Sequence, residues 1–98
     1  MSGISQISID EAGLDDGTSL VVDIRDPQSY QRGHIEGAIH LSDDNLEEFL
    51  RTADKSRKTV VCCYHGNSSQ GAAAYLQERG FTDVHSLIGG YEGWAHRR

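Results

Sequence analysis

The sequence has no surplus of basic residues. Nine Lys and Arg stand against fifteen Asp and Glu in 98 residues, a formal net charge of -6 and a pI of about 5.2. An acidic chain repels nucleic acid and anionic membrane surfaces, so neither is expected as a partner. Long hydrophobic runs are also missing, and no stretch is long enough to span a bilayer. The opening Met1–Gln6 segment lacks the basic and apolar regions of a secretory signal. Cysteine is scarce: only Cys62 and Cys63 are present, and they are adjacent. A disulfide between neighbours has poor geometry and would staple nothing, so two reduced thiols in a cytoplasmic protein are expected. With the structural use of cysteine excluded, reactivity is the remaining use of interest. A chain of this length has room for one core, so a single domain over residues 1–98 is expected.

What the sequence does have is alternation. Ser8 with Glu11 has the form of a capping box, and a short helix is expected to follow and stop before Gly17. Leu20-Val21-Val22-Asp23-Ile24 is an apolar, β-branched run suited to a strand covered on both faces. Asp26-Pro27 supplies an N-cap and a first-turn proline for a helix to about Gln31, closed by Gly33. Ala38–Leu41 reads as a brief strand. Ser42-Asp43-Asp44 begins a helix whose Leu46, Phe49 and Leu50 share a core-facing stripe. Thr59–Cys62 reads as a second buried strand and Val84–Leu87 as the last. Between them lies a helix with Ala72, Tyr75 and Leu76 on one face and Gly80 as its stop. A terminal helix runs from Tyr91 to about His96, anchored by Tyr91 and Trp94. This order predicts an α/β fold with a mostly parallel sheet.

The chemistry is concentrated in Cys63-Tyr64-His65-Gly66-Asn67-Ser68-Ser69. A cysteine at the carboxyl end of a buried parallel strand sits where open α/β sheets place their ligands. Gly66 allows the loop to curl, so that amides of Tyr64 to Ser69 can point at the sulfur and continue into a helix N-terminus. Such a nest stabilises a thiolate and lowers its pKa from about 8.5. Asn67 and Gln70 resemble a further capping box, and Asn67, Ser68 and Ser69 can cap the helix or donate to a bound anion. Cys62 faces the opposite side of the strand and is expected to pack in the core.

Asp23-Ile24-Arg25, Gly33-His34-Ile35, Gly37-Ala38, Cys63 with Gly66, Gly89-Gly90 and Trp94, in that order, resemble the rhodanese homology domain over nearly the whole chain. The segments from Asp23 to Ser29 and from Cys63 to Ser69 are most similar to the GlpE-type single-domain thiosulfate sulfurtransferases. The resemblance implies a central sheet of five parallel strands flanked by helices. It implies that Cys63 attacks the outer sulfur of thiosulfate, releases sulfite and holds a persulfide. A thiophile then removes the sulfur: cyanide in an assay, a thioredoxin-like dithiol in cells. Tyr64, His65, Gly66, Asn67, Ser68 and Ser69 are then the substrate-binding loop, with no cofactor and a monomer or weak dimer expected. Many rhodanese loops carry arginine where Tyr64 and Ser68 stand here, so this loop must hold its anion without a cation.

Other residues have plainer expectations. Arg25 is expected to pair with Asp23 or Asp26 rather than lend charge to the site mouth. His34 reads as a structural histidine in a turn, and His65 as an exposed rim residue. Tyr64 either shapes the pocket wall or simply packs. Cys62, Cys63, His34, His40 and His65 include zinc-ligand types but lack ligand spacing, so no metal is expected. A phosphatase loop needs arginine six residues after its cysteine, where this chain has Ser69. A non-catalytic rhodanese-like interaction module and a persulfide relay with another donor remain alternatives.

Overall fold

The computed structural model describes residues 4–14 and 17–96. Five strands form one sheet: β1 (Gln6–Ile7), β2 (Leu20–Asp23), β3 (Ile39–His40), β4 (Thr59–Cys62) and β5 (Val84–Leu87). Their spatial order is β1-β5-β4-β2-β3, and every pairing is parallel. Four helices connect or follow them: α1 (Pro27–Arg32), α2 (Leu46–Thr52), α3 (Ser68–Glu78) and α4 (Gly90–His96).

Period-two alternation sorts the strand side chains onto two faces. Val22, Val61 and Val84 meet Phe49 and Leu50 of α2 and Ala73 and Leu76 of α3. Val21, Val60, Cys62 and Leu87 face the other way, toward Ala12, Ile35 and Ala38, with Tyr30, Tyr91 and Trp94 packed around them. Val22, Val60 and Val61 are fully buried, each worth about 1.5–3 kcal/mol in apolar burial. Continuous apolar strands are what a sheet covered on both faces requires.

The chain winds outward from β2 to β3, then returns to the other side of β2 to form β4 and β5. That reversal makes the carboxyl ends of β2 and β4, where Asp23 lies beside Cys62, the topological switch point. Cys63 is the next residue of the chain.

Several local expectations need correction. After Ser8 the chain makes turns, not a helix. The Ser8–Glu11 bonds do form, with the Glu11 amide donating to Ser8 Oγ at 3.2 Å. They close a turn that the glycine-bearing segment does not extend, although residues 15–16 lie outside the described ones. β1 is an added edge strand of two residues, too short to show any alternation. Ser42–Asn45 is likewise a turn, and α2 begins after Asn45. The buried stripe of α3 is Ser69, Ala73 and Leu76. Tyr75 is 39% exposed and its hydroxyl accepts from Arg79 Nη1 at 2.8 Å, which keeps the polar tip of the phenol satisfied at the surface. The proposed Asn67 cap is absent: its side chain makes no capping bond, and Gln70 Nε2 donates instead to the Gly66 carbonyl at 2.9 Å. Asp26, by contrast, caps α1 by accepting from the Ser29 amide at 3.1 Å.

Candidate active site

β4, the central strand, delivers Cys63 to the carboxyl end of the sheet, and α3 begins five residues later. The intervening loop must reverse within a few residues, and Gly66 does so at φ +97, a region that side chains disfavour. A Cβ there would also lie 3.1 Å from the Leu87 carbonyl and the Gly89 amide. The loop therefore rests directly on the turn after β5.

α4 fixes the loop from the opposite side. The Tyr91 amide donates to the Cys63 carbonyl at 2.7 Å, and the Glu92 amide to the Tyr64 carbonyl at 3.0 Å. With these carbonyls engaged by the first turn of α4, the following amides turn inward. Gly90 makes the approach possible: at φ +58, an added Cβ would stand 2.5 Å from the Cys63 oxygen.

Inside this cradle the sulfur receives polar donors. The Gly66 amide lies 3.1 Å from Cys63 Sγ and the Ser69 amide 3.3 Å. Ser69 Oγ is also 3.3 Å away, and the His65 amide contributes a further bond. Burial alone would raise the thiol pKa. The Ser69 hydroxyl and the amides of Ser69, Gly66 and His65 outweigh it, and the net direction is downward. The residue is 4% exposed, so its sulfur sits low in the loop, yet hydrogen-bonding groups reach it there.

Of the six loop residues expected to bind substrate, Gly66, Ser69 and the His65 backbone meet the sulfur. The side chains of Asn67 and Ser68 remain exposed. His65 is exposed as expected, 3.9 Å from Glu92 Oε1. Tyr64 leans outward, its hydroxyl donating to Asp26 Oδ1 at 2.5 Å and bonding Ser29 Oγ. These bonds, the Tyr64 hydroxyl first and then the Ser29 hydroxyl and amide, hold the Asp26 carboxyl well below the usual carboxylate range. Residues 38 positions apart gave no sequence sign of this rim contact.

Arg25 is committed to structure. Its Nη2 lies 2.7 Å from Asp23 Oδ2, both side chains almost wholly buried, and it donates to the Gly33 carbonyl at 2.7 Å. Its guanidinium lies 3.9 Å from the Tyr91 ring centroid and 5.6 Å from that of Tyr64. Burial opposes its charge, but the bond to Asp23 and that carboxylate's field raise its pKa. His34 is structural too, bonded at Nδ1 to the Tyr30 carbonyl at 2.7 Å and stacked on the Tyr30 ring. Cys62 is fully buried, and desolvation first, then the nearby Asp23 carboxylate, push its thiol up to about 12. Among the described residues, no three His, Cys, Asp or Glu side chains converge as metal ligands, and no helix is long and apolar enough to cross a membrane.

One site residue was missed. Ser86 of β5 is 1% exposed, and its Oγ lies 2.6 Å from Ser69 Oγ. Its signal was a hydroxyl two residues after Val84, on the sheet face that α3 covers.

The whole arrangement has known counterparts. The model of the rhodanese-like domain matches residues 11–97. The thiosulfate sulfurtransferase GlpE of Pseudomonas entomophila is 52% identical over 95 residues, covering 96% of this chain and 87% of that protein. GlpE of Pseudomonas fluorescens is 50% identical with the same coverage. Among solved structures, a rhodanese-related protein of Thermoplasma volcanium superposes with a TM-score of 0.80 at 25% identity, covering 95% of this chain and 92% of that one.

Proposed function

The chain belongs to the rhodanese-like domain family, and from that premise we propose that it is a thiosulfate sulfurtransferase working through a persulfide on Cys63. The observation that carries this reading is the polar cradle around Cys63 Sγ: the amides of Gly66, Ser69 and His65 donate to it, and the Ser69 hydroxyl, which accepts from the thiol, can turn to donate to the anion. They favour the anionic sulfur that must act as nucleophile.

In the first half-reaction the Cys63 thiolate attacks the sulfane sulfur of thiosulfate. A Cys63–sulfur bond forms, the bond inside thiosulfate breaks, and its electron pair leaves with sulfite. The persulfide left on Cys63 carries one negative charge on its outer sulfur. The loop between Tyr64 and Ser69 is the site for that sulfur and for the departing sulfite, with backbone amides supplying the positive ends of dipoles. In the second half-reaction a thiophile attacks the outer sulfur and regenerates the thiolate. Cyanide yields thiocyanate; a thioredoxin-like dithiol in the cytoplasm is the acceptor we favour, and its reducing compartment suits two unpaired cysteines. We expect the protein to act alone or as a weak dimer, since the cradle around Cys63 is complete without a residue from a second copy.

Phosphoryl chemistry is disfavoured on this loop. The position that would need a phosphate-gripping arginine is Ser69, fully buried and already bonded to Cys63 and Ser86.

The test is thiocyanate formation from thiosulfate and cyanide. The parent protein should turn over with ping-pong kinetics, and Cys63→Ser should lose at least about a thousandfold. Absence of turnover in the parent, with any sulfane donor, would favour a non-catalytic interaction module. Turnover surviving in Cys63→Ser would move the nucleophile elsewhere.

A further inference from the structure

The Ser69 hydroxyl can serve the sulfur in only one orientation at a time. A hydroxyl has one proton and two lone pairs. Toward a thiol, Ser69 Oγ accepts from Cys63 S–H, and its own proton must go elsewhere. Toward a thiolate or persulfide, it must donate, and a lone pair is then free for another donor. Ser86 Oγ, 2.6 Å away, is the partner in both cases. It lies on β5 facing α3, with both hydroxyls sealed from water. Solvent therefore cannot take its place.

We propose that Ser86 is a positioning residue for sulfur transfer: with Ser69 it forms a two-hydroxyl chain that reverses direction as Cys63 changes between thiol and anion. In the thiol state Cys63 S–H donates to Ser69, and Ser69 O–H donates to Ser86. In the anionic state Ser86 O–H donates to Ser69, and Ser69 O–H donates to the sulfur. Each oxygen keeps its proton; only the hydroxyl rotors turn, and the thiol proton departs to water. Chained hydrogen bonds polarise one another, so the Ser86 donor strengthens the Ser69 donor at the sulfur. A fixed set of amides serves the anion better than the thiol, whose sulfur is only a weak acceptor. The reversible pair lets the same buried loop tolerate the resting thiol and the attacking thiolate, which matters in a loop that carries no lysine or arginine.

The inference rests on Cys63 being the reacting thiol, but its test reads that thiol directly and needs no sulfur transfer. The pH profile of iodoacetamide alkylation at Cys63 is measured for the parent, Ser86→Ala, Ser69→Ala and the double variant. Other groups near the sulfur are constant or common to all four. Cys62 on β4 stays protonated and Arg25 stays paired with Asp23. Tyr91 and Glu92 of α4, with Tyr64 and His65 of the loop, are present in every variant.

Ser86→Ala removes a bond from both states, but the chain that ends on the anion is charge-assisted and loses more, so the midpoint should rise by roughly half a pH unit, and by more in Ser69→Ala. The double variant should match Ser69→Ala, because Ser86 acts only through Ser69. Ser86→Thr, which restores a hydroxyl, should return the midpoint toward the parent value. Circular dichroism checks that each variant is folded. A Ser86→Ala profile superimposed on the parent would overturn the proposal. So would a Ser86→Ala shift that adds in full to that of Ser69→Ala, since it would mark a general packing effect.

Discussion

Cys62 and Cys63 are consecutive, yet they occupy opposite chemical worlds. Cys62 ends β4 on the face packed by Val60, Leu87, Ile35 and Ala38. It finds only a weak contact from its thiol to the Cys63 carbonyl at 3.5 Å, and an anion there would face Asp23. Cys63 leaves the sheet one residue later and meets three amides and a hydroxyl. Burial penalises charge at both sulfurs. Only the second has enough oriented donors to reverse the outcome. The direction of each thiol's pKa shift is thus set by where the strand stops: the same residue type is core filler on one side of that boundary and, in the proposed mechanism, the sulfur carrier on the other.

Breaking the cradle without touching the sulfur should produce the larger effect. Gly90→Ala would drive a Cβ to within 2.5 Å of the Cys63 oxygen and 2.6 Å of the Tyr64 oxygen, at a backbone angle only glycine adopts freely. The carbonyls must then swing, and the amides with them. Transfer should fall by about a hundredfold and stability by about 2 kcal/mol. Steady-state thiocyanate assays and urea unfolding measure both. A Gly90→Ala protein with parental turnover would mean that the α4 contacts do not set the amide directions.

The contrast sharpens at high pH, where the two thiols have opposite signs. The folded-state pKa of Cys62 is raised from 9.0 to about 12. Its contribution to stability is fully present below the unfolded value and is lost as pH climbs toward the folded one. Cys63 is depressed, so its contribution is present above the unfolded value and is lost as pH falls through the folded one. The urea midpoint of the parent should therefore decline more steeply between about pH 9 and pH 11 than that of Cys62→Ala, in which the buried thiol is gone. At neutral pH the same variant should cost only about 1 kcal/mol and leave turnover within about twofold. Parallel declines in the two proteins would show that Cys62 ionises freely in the native state.

Much of this was legible in the sequence, and the exceptions share a cause. Thr59–Cys62 and Val84–Leu87 stand where the apolar runs put them, because a doubly covered strand needs an unbroken hydrophobic segment. The donor-lined loop was legible because a polar, glycine-bearing turn after such a strand can curl its amides toward the first side chain, although it buries that side chain rather than exposing it. β1 escaped notice because two residues carry no period, and its place depends on pairing with Ser86 and Leu87, 80 positions away. The helix expected after Ser8 failed because a cap nucleates but does not sustain a turn. Ser86 showed only as a hydroxyl on a buried strand face, because its link to the site is a contact with Ser69 of α3, 17 positions away, that no local pattern encodes. The Asn67 cap lost to the loop's own geometry, in which Gln70 reaches back to Gly66 and Asn67 takes helical angles.

The most direct test of sulfur carriage is intact-mass and peptide mass spectrometry after treatment with thiosulfate. The protein should gain one sulfur atom on Cys63, equally in the parent and in Cys62→Ala, and none in Cys63→Ser. An adduct on Cys62, or a thiosulfate-treated protein that gains no sulfur at all, would contradict the account.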